Sequence, residues 1–128
     1  MKGANEKIIA ETINSFSGKR QSDLWSGVGL AAAYAGGVSE SRLLILANRA
    51  EKYLPSLAQG VAFAAEAREQ GGNQCEHTSL ASRTICQGEP SAVAKLTRDA
   101  RKGLGQNQSG EAYMVWRKRI QEHFETHS

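Results

Sequence analysis

Ser22-Asp23-Leu24-Trp25-Ser26-Gly27-Val28-Gly29-Leu30-Ala31-Ala32-Ala33-Tyr34-Ala35-Gly36-Gly37 is apolar, built almost wholly from small residues, and closed by two glycines. It predicts the central helix of a compact all-helical domain. Gly27, Ala31 and Ala35 fall at i, i+4 and i+8, which makes a smooth stripe along one side of such a helix. Glycine inside a helix costs about 1 kcal/mol relative to alanine. Two of them, Gly27 and Gly29, imply a compensating contact with another helix whose backbone comes close. The same letters fit the dinucleotide pattern G-x-G-x-x-A over Gly27 to Ala32. That motif works only after a strand and within a βαβ unit. Arg20-Gln21-Ser22-Asp23 is no strand, and no parallel strand follows.

Outward from this run, helical periodicity recurs and alternation with a period of two does not. Ile8, Ile9, Thr12, Ile13 and Phe16 share one face of a first helix, which Gly18 ends. Ser39 is placed to cap a third helix carrying Leu43, Leu44, Leu46, Ala47, Ala50 and Leu54. Pro55 suits the first turn of a fourth, which runs to Gly71-Gly72. A short helix from Thr78 or Ser79 ends at Gly88, and Pro90 opens the next. Residues 103–110 are rich in Gly, Gln, Asn and Ser and read as a flexible connection. The last helix carries Tyr113, Trp116, Ile120 and Phe124 at steps of three and four. This predicts that it docks through those four, with Trp116 mostly buried and Arg117, Lys118 and Arg119 near the rim. The expected fold is an irregular bundle of six or seven helices in a single domain spanning residues 1–128.

The 128 residues can bury a core without a staple. The net charge is +3. Residues 1–90 carry nine basic and nine acidic side chains, and residues 91–128 carry seven and four. So small an excess does not argue for a polyanion partner. Two cysteines make no disulfide framework and fit a reducing cytoplasm. The start of the chain has no apolar core of a signal peptide. Leu24 to Val38 falls short of the roughly 20 residues of a membrane span.

Few residues carry chemistry. Cys75, His77 and Cys86 are zinc-type ligands. On one helix, though, His77 and Cys86 point to opposite sides about 13 Å apart along the axis, so no metal is expected. Cys86 reads as a small buried hydrophobe. His77 is the one histidine placed to serve as a catalytic base. Its commoner task at a helix start is to hydrogen-bond free backbone amides or a neighbouring loop. Lys95, Arg98, Arg101 and Lys102, with Arg117, Lys118 and Arg119, offer a basic face. No aromatic residues are interleaved to stack bases, so a solvated face is the expectation and nucleic acid is not.

Four segments together resemble one family. They are Leu24-Trp25-x-Gly27-x-Gly29-Leu30-Ala31-x-x-Tyr34-Ala35-Gly36-Gly37, Ala58-Gln59-Gly60-x-Ala62-Phe63-Ala64-Ala65-x-Ala67-Arg68, His77-Thr78-x-Leu80-Ala81-x-Arg83-x-x-Cys86, and Tyr113-x-x-Trp116-Arg117-x-Arg119-Ile120. Their order and spacing resemble the carboxy-terminal part of bacterial proteins grouped as domain of unknown function 1702, often described as enediyne biosynthesis proteins. Members are more than twice this length, and tyrosine more often stands where this chain has Trp25. The resemblance implies a place beside an iterative polyketide synthase in secondary metabolism. It implies no reaction, cofactor or catalytic residue.

The sequence thus predicts a domain that binds an apolar small molecule or a partner protein, with no cofactor. The candidate binding residues are Gly27, Gly29, Tyr34, Arg68, His77, Arg83, Trp116 and Arg117. The alternative is part of an enzyme that uses His77.

Overall fold

The computed structural model of the chain describes residues 4–35, 38–72, 75–104 and 110–127. They form α1 (Ala4–Asn14), α2 (Gly18–Ala35), α3 (Glu40–Ala50), α4 (Leu54–Gln70), α5 (Glu76–Ala81), α6 (Pro90–Ala100) and α7 (Glu111–His127). A 3-10 turn at Glu51–Tyr53 leads into α4, and a π-helical turn at Ser82–Cys86 extends α5. No strand occurs among the described residues. The helical domain expected from periodicity is therefore the one observed. The expected connection falls largely on residues 105–109, which, like Gly36 and Gly37, lie outside the described residues.

Several ends follow their local signals. Ser39 caps α3, its Oγ accepting from the Arg42 backbone N–H at 3.4 Å. Pro55 and Pro90 sit in the first turns of α4 and α6, where their missing N–H is no loss. Gly18 does not end the first helix but opens the second. The chain reverses over Ser15 to Ser17, and the Gln21 N–H already bonds the Ser17 carbonyl at 2.8 Å.

α1 is a helix with a different buried face from the one its apolar residues suggest. Ile8 is 61% exposed, and Phe16 lies beyond the helix in the turn. Glu6, Ala10 and Ile13 are buried instead. The reason is electrostatic as well as apolar: Arg42 of α3 donates from Nε to Glu6 Oε1 at 2.5 Å. That hydrogen bond holds the Glu6 carboxyl below the ordinary carboxylate range, against the cost of burial.

The central helix is α4, not α2. Ser56 to Ala62, together with Ala64 and Ala65, are all buried. Alanine and glycine make α4 thin enough to be covered by α2, α6, α7 and the π-helical turn at once. α2 shares its most extensive contact with α4 but keeps one face in solvent. The small stripe expected at the contact is on that outer face. Gly27 and Ala31 are exposed, and a Cβ on Gly27 would meet no atom within 4 Å. The side chain of Ala35 lies outside the described residues.

The close approach is made by Gly29 and Gly60. A Cβ on Gly29 would overlap the Leu57 carbonyl oxygen and come within 3.2 Å of the Val61 nitrogen. A Cβ on Gly60 would overlap the Ser26 carbonyl oxygen and lie 2.7 Å from the Leu30 nitrogen. Each glycine receives the backbone of the other helix, so the axes approach more closely than any side chain would allow. Trp25, one turn before Gly29, is fully buried beside this crossing.

α7 docks through half of the expected face, with Arg117 in place of its two N-terminal aromatics. Ile120 and Phe124 are buried, as predicted. Arg117 joins them at 8% exposed, while Tyr113 is about half exposed and Trp116 is partly buried. Only Lys118 and Arg119 sit at the rim. Arg117 turns inward because acceptors wait for it on α2 and α4.

Two predictions follow from this packing. Gly27→Ala should leave stability unchanged or raise it by up to about 1 kcal/mol. Gly29→Ala and Gly60→Ala should each cost about 3 kcal/mol or more by forcing α2 from α4. Urea denaturation of the three variants reads the contrast. The Glu6 contribution should be fully present above the unfolded carboxylate range and fade as pH falls through its lowered native value. Glu6→Gln should therefore flatten the acid limb of a stability-against-pH curve.

Candidate functional site

The last carbonyls of a helix have no partner inside it. At the end of α2, side chains from two other helices take that role. Thr78 Oγ1 of α5, fully buried, donates to the Ala33 carbonyl at 2.8 Å. Arg68 Nη2 of α4 donates to the Tyr34 carbonyl at 2.7 Å. His77 Nε2 lies 3.1 Å from the same oxygen. A carbonyl only accepts, so Nε2 carries the hydrogen. Positive charge at this end also opposes the partial negative charge of the helix terminus. His77 thus does hydrogen-bond the backbone, as expected, but with a carbonyl rather than with amides.

Arg68 does more than cap. Its guanidinium carbon stands 4.1 Å from the centre of the Tyr34 ring, a cation–π arrangement. Its Nε is buried with no hydrogen-bond partner among the described residues. Cys75, just before α5, completes the cluster, with Sγ 3.1 Å from Thr78 Oγ1 and 3.3 Å from His77 Nε2. The Thr78 hydroxyl, the neighbouring backbone N–H groups and the charge of Arg68 outweigh desolvation and hold the Cys75 thiol below its ordinary range. Cys86 is the opposite case. It donates to the Ala58 carbonyl at 3.4 Å, and burial pushes its thiol up.

Beside this cluster, the outer face of α2 forms a shallow groove of about 400 Å³. Gly27, Leu30, Ala31, Tyr34 and Ala67 line it with apolar atoms only. Small residues at 27, 31 and 67 leave the trough, and Leu30 and Tyr34 form its larger walls. Gly27, Tyr34, Arg68 and His77 of the sequence-predicted set therefore meet in one region.

The other four candidates do not join them. Gly29 is filled by the backbone of α4 and is closed to any ligand. Arg83 is exposed and pairs with Glu89 through two contacts of 3.0 Å. Trp116 packs on Phe63 at 4.6 Å between ring centres and donates its N–H to the Thr97 carbonyl at 2.7 Å. Arg117 donates from Nε to Gln59 Oε1 at 3.1 Å, and its Nη1 is 3.0 Å from Asp23 Oδ1. Spacing cannot distribute residues among sites, because the helices that carry them meet only in the fold.

Sequence reading missed Gln59. Its Oε1 accepts from Ser26, Arg117 and Gln121, which ties α2 and α7 to the centre of α4. One signal was available: an amide midway along an alanine-rich helix, between Leu57-Ala58 and Gly60-Val61-Ala62. Gly60 carried a similar signal. Among the described residues no group of three or more His, Cys, Asp or Glu is gathered to hold a metal.

Gln59→Leu should cost about 2–3 kcal/mol, because it leaves the buried Arg117 guanidinium short of an acceptor. The loss should loosen α7 first. Trp116 fluorescence would then shift to the red before the helical signal falls in a denaturant titration.

No curated protein and no solved structure matches the chain. The sequence model of a family described as a protein of unknown function, DUF1702, matches residues 1–124. That span takes in every helix that builds the cluster and the groove, and the chain belongs to the DUF1702 family.

Proposed function

We propose that this domain binds a small elongated apolar molecule and performs no chemistry on it alone. The observation that carries this reading is the α2 groove, an exposed trough of about 400 Å³ with apolar lining, one wall of which, Tyr34, is stacked by the Arg68 guanidinium. Its volume falls in the range of small-molecule sites. A ligand seated there would take the apolar atoms of Leu30, Ala31 and Tyr34 out of water. Arg68, stacked on the Tyr34 ring, places positive charge beside the groove and favours a ligand with a carbonyl or carboxylate at that end. Tyr34 and Leu30 would flank the chain of the ligand, and Gly27 and Ala31 would floor it.

The biological setting in this proposal comes from the motif resemblance. It is bacterial secondary metabolism of the enediyne type, with this chain corresponding to the carboxy-terminal part of longer family members. A reducing cytoplasm suits its two unpaired cysteines.

A conjugated polyene fatty acid, whose emission rises in apolar surroundings, tests the reading. At about −0.3 kcal/mol per heavy atom, a ligand of about 20 atoms should bind with a Kd of tens of micromolar. Ala31→Glu, which puts a charge on the floor of an already exposed position, should abolish the signal without unfolding the domain. Binding that survives Ala31→Glu would move the ligand elsewhere.

A further inference from the structure

An open cavity of about 570 Å³ lies where α4, α6 and α7 come together. Three aromatic rings wall it. Phe63 of α4 lies 5.8 Å from Tyr113 and 4.6 Å from Trp116 between ring centres. Tyr113 and Trp116 stand edge-on to each other, at 81° and 6.4 Å. The rings make a corner in which a flat molecule lies against one face and edge-on to the next. Helix packing does not account for all three. Trp116 ties α7 to α6 through the Thr97 carbonyl, and Ile120 and Phe124 supply the buried contact of α7. Tyr113 is half exposed, and its hydroxyl has no hydrogen bond among the described residues.

The charged groups around these rings are not equivalent. Arg98 is committed to the carboxylates of Glu66 and Glu69, and Arg117, 5.9 Å from the Tyr113 ring centre, is committed to Gln59 and Asp23. Arg101 is not committed. Its guanidinium carbon stands 5.2 Å from the centre of the Trp116 ring, and among the described residues its side chain has no ion pair or hydrogen bond. A guanidinium held over a ring keeps its forked donors at its edge, the geometry that grips a carboxylate through two parallel hydrogen bonds. Glu66 and Glu69 disfavour an anion beside Arg98, which leaves Arg101 as its partner. A cationic ligand would meet three arginines that already border the rings. We infer that this cavity binds a planar aromatic carboxylate, with its ring in the Phe63–Tyr113–Trp116 corner and its carboxylate on Arg101. The inference stands apart from the α2 groove, with which the cavity shares only Ala67.

The test titrates the isotope-labelled full chain at low salt with cinnamate, with its uncharged counterpart cinnamamide, and with tetramethylammonium, and follows the Trp116 Nε1–H resonance. Cinnamate should shift that resonance with a Kd below about 1 mM, and cinnamamide should bind about tenfold more weakly. Arg101→Gln, at an exposed position, should weaken cinnamate about tenfold and bring it level with the amide. Tyr113→Leu, also at an exposed position, should weaken both acid and amide by about threefold or more. Ala31→Glu, which blocks the α2 groove, should change none of these values, so failure of the groove reading leaves this one standing. Equal affinity for cinnamate and cinnamamide, an affinity for cinnamate unchanged by Arg101→Gln or by Tyr113→Leu, no shift with cinnamate up to about 10 mM, or tighter binding of tetramethylammonium would each overturn the inference.

Discussion

At the crossing of α2 and α4, the Leu57 and Ser26 carbonyl oxygens occupy the space where Gly29 and Gly60 would carry a Cβ. Two helices that meet backbone to backbone exclude intervening side chains, so their registers lock together. The short distance brings polar side chains on the facing turns within reach of one another. Ser22 and Ser56 meet at 2.7 Å, and Ser26 donates to Gln59 at 2.8 Å. Leucines at 29 and 60 would hold the helices apart and leave those groups buried without partners.

From this crossing the rest of the molecule takes its positions. Gln59 reaches through to α7, where Arg117 and Gln121 bond the oxygen that Ser26 already uses. A fully buried amide that accepts three donors costs desolvation. It also specifies one arrangement of three helices where apolar contact alone would tolerate several. The salt bridge of Glu6 with Arg42 does the same for α1 on α3. The domain is thus apolar in bulk and polar at the points that fix its helices relative to one another.

The same crossing creates the candidate site. With α4 packed close along α2, Arg68 arrives at the Tyr34 carbonyl, and α5 brings Thr78 and His77 to the same helix end. The inner face of α2 is spent on α4, so its outer face stays open as an apolar groove beside Arg68. Packing and site are two sides of one helix, and the small residues at 27, 29 and 31 serve both in alternation. Position 29 admits a backbone, and positions 27 and 31 leave room for something else.

What the sequence determined by itself is what depends on near neighbours along the chain. Helix periodicity, the Ser39 cap and the prolines at 55 and 90 act over a few residues, and they account for an all-α domain and most of its helix ends. The two in-helix glycines also announced a close contact. Which of them makes it was decided only by the tertiary structure, because Gly27 and Gly29 are about 200° apart around α2 and the pattern alone does not say which side meets a neighbour. The buried face of α1 and the inward turn of Arg117 on α7 went the same way. Glu6 and Arg117 are charged, so hydrophobic patterning assigns them to water, and only partners 36 residues away at Arg42 and 58 away at Gln59 make their burial favourable. Cys75, His77, Thr78, Arg68 and Tyr34 were each visible in the sequence. Their meeting was not, because it depends on where three helices end in space, and long-range packing sets that.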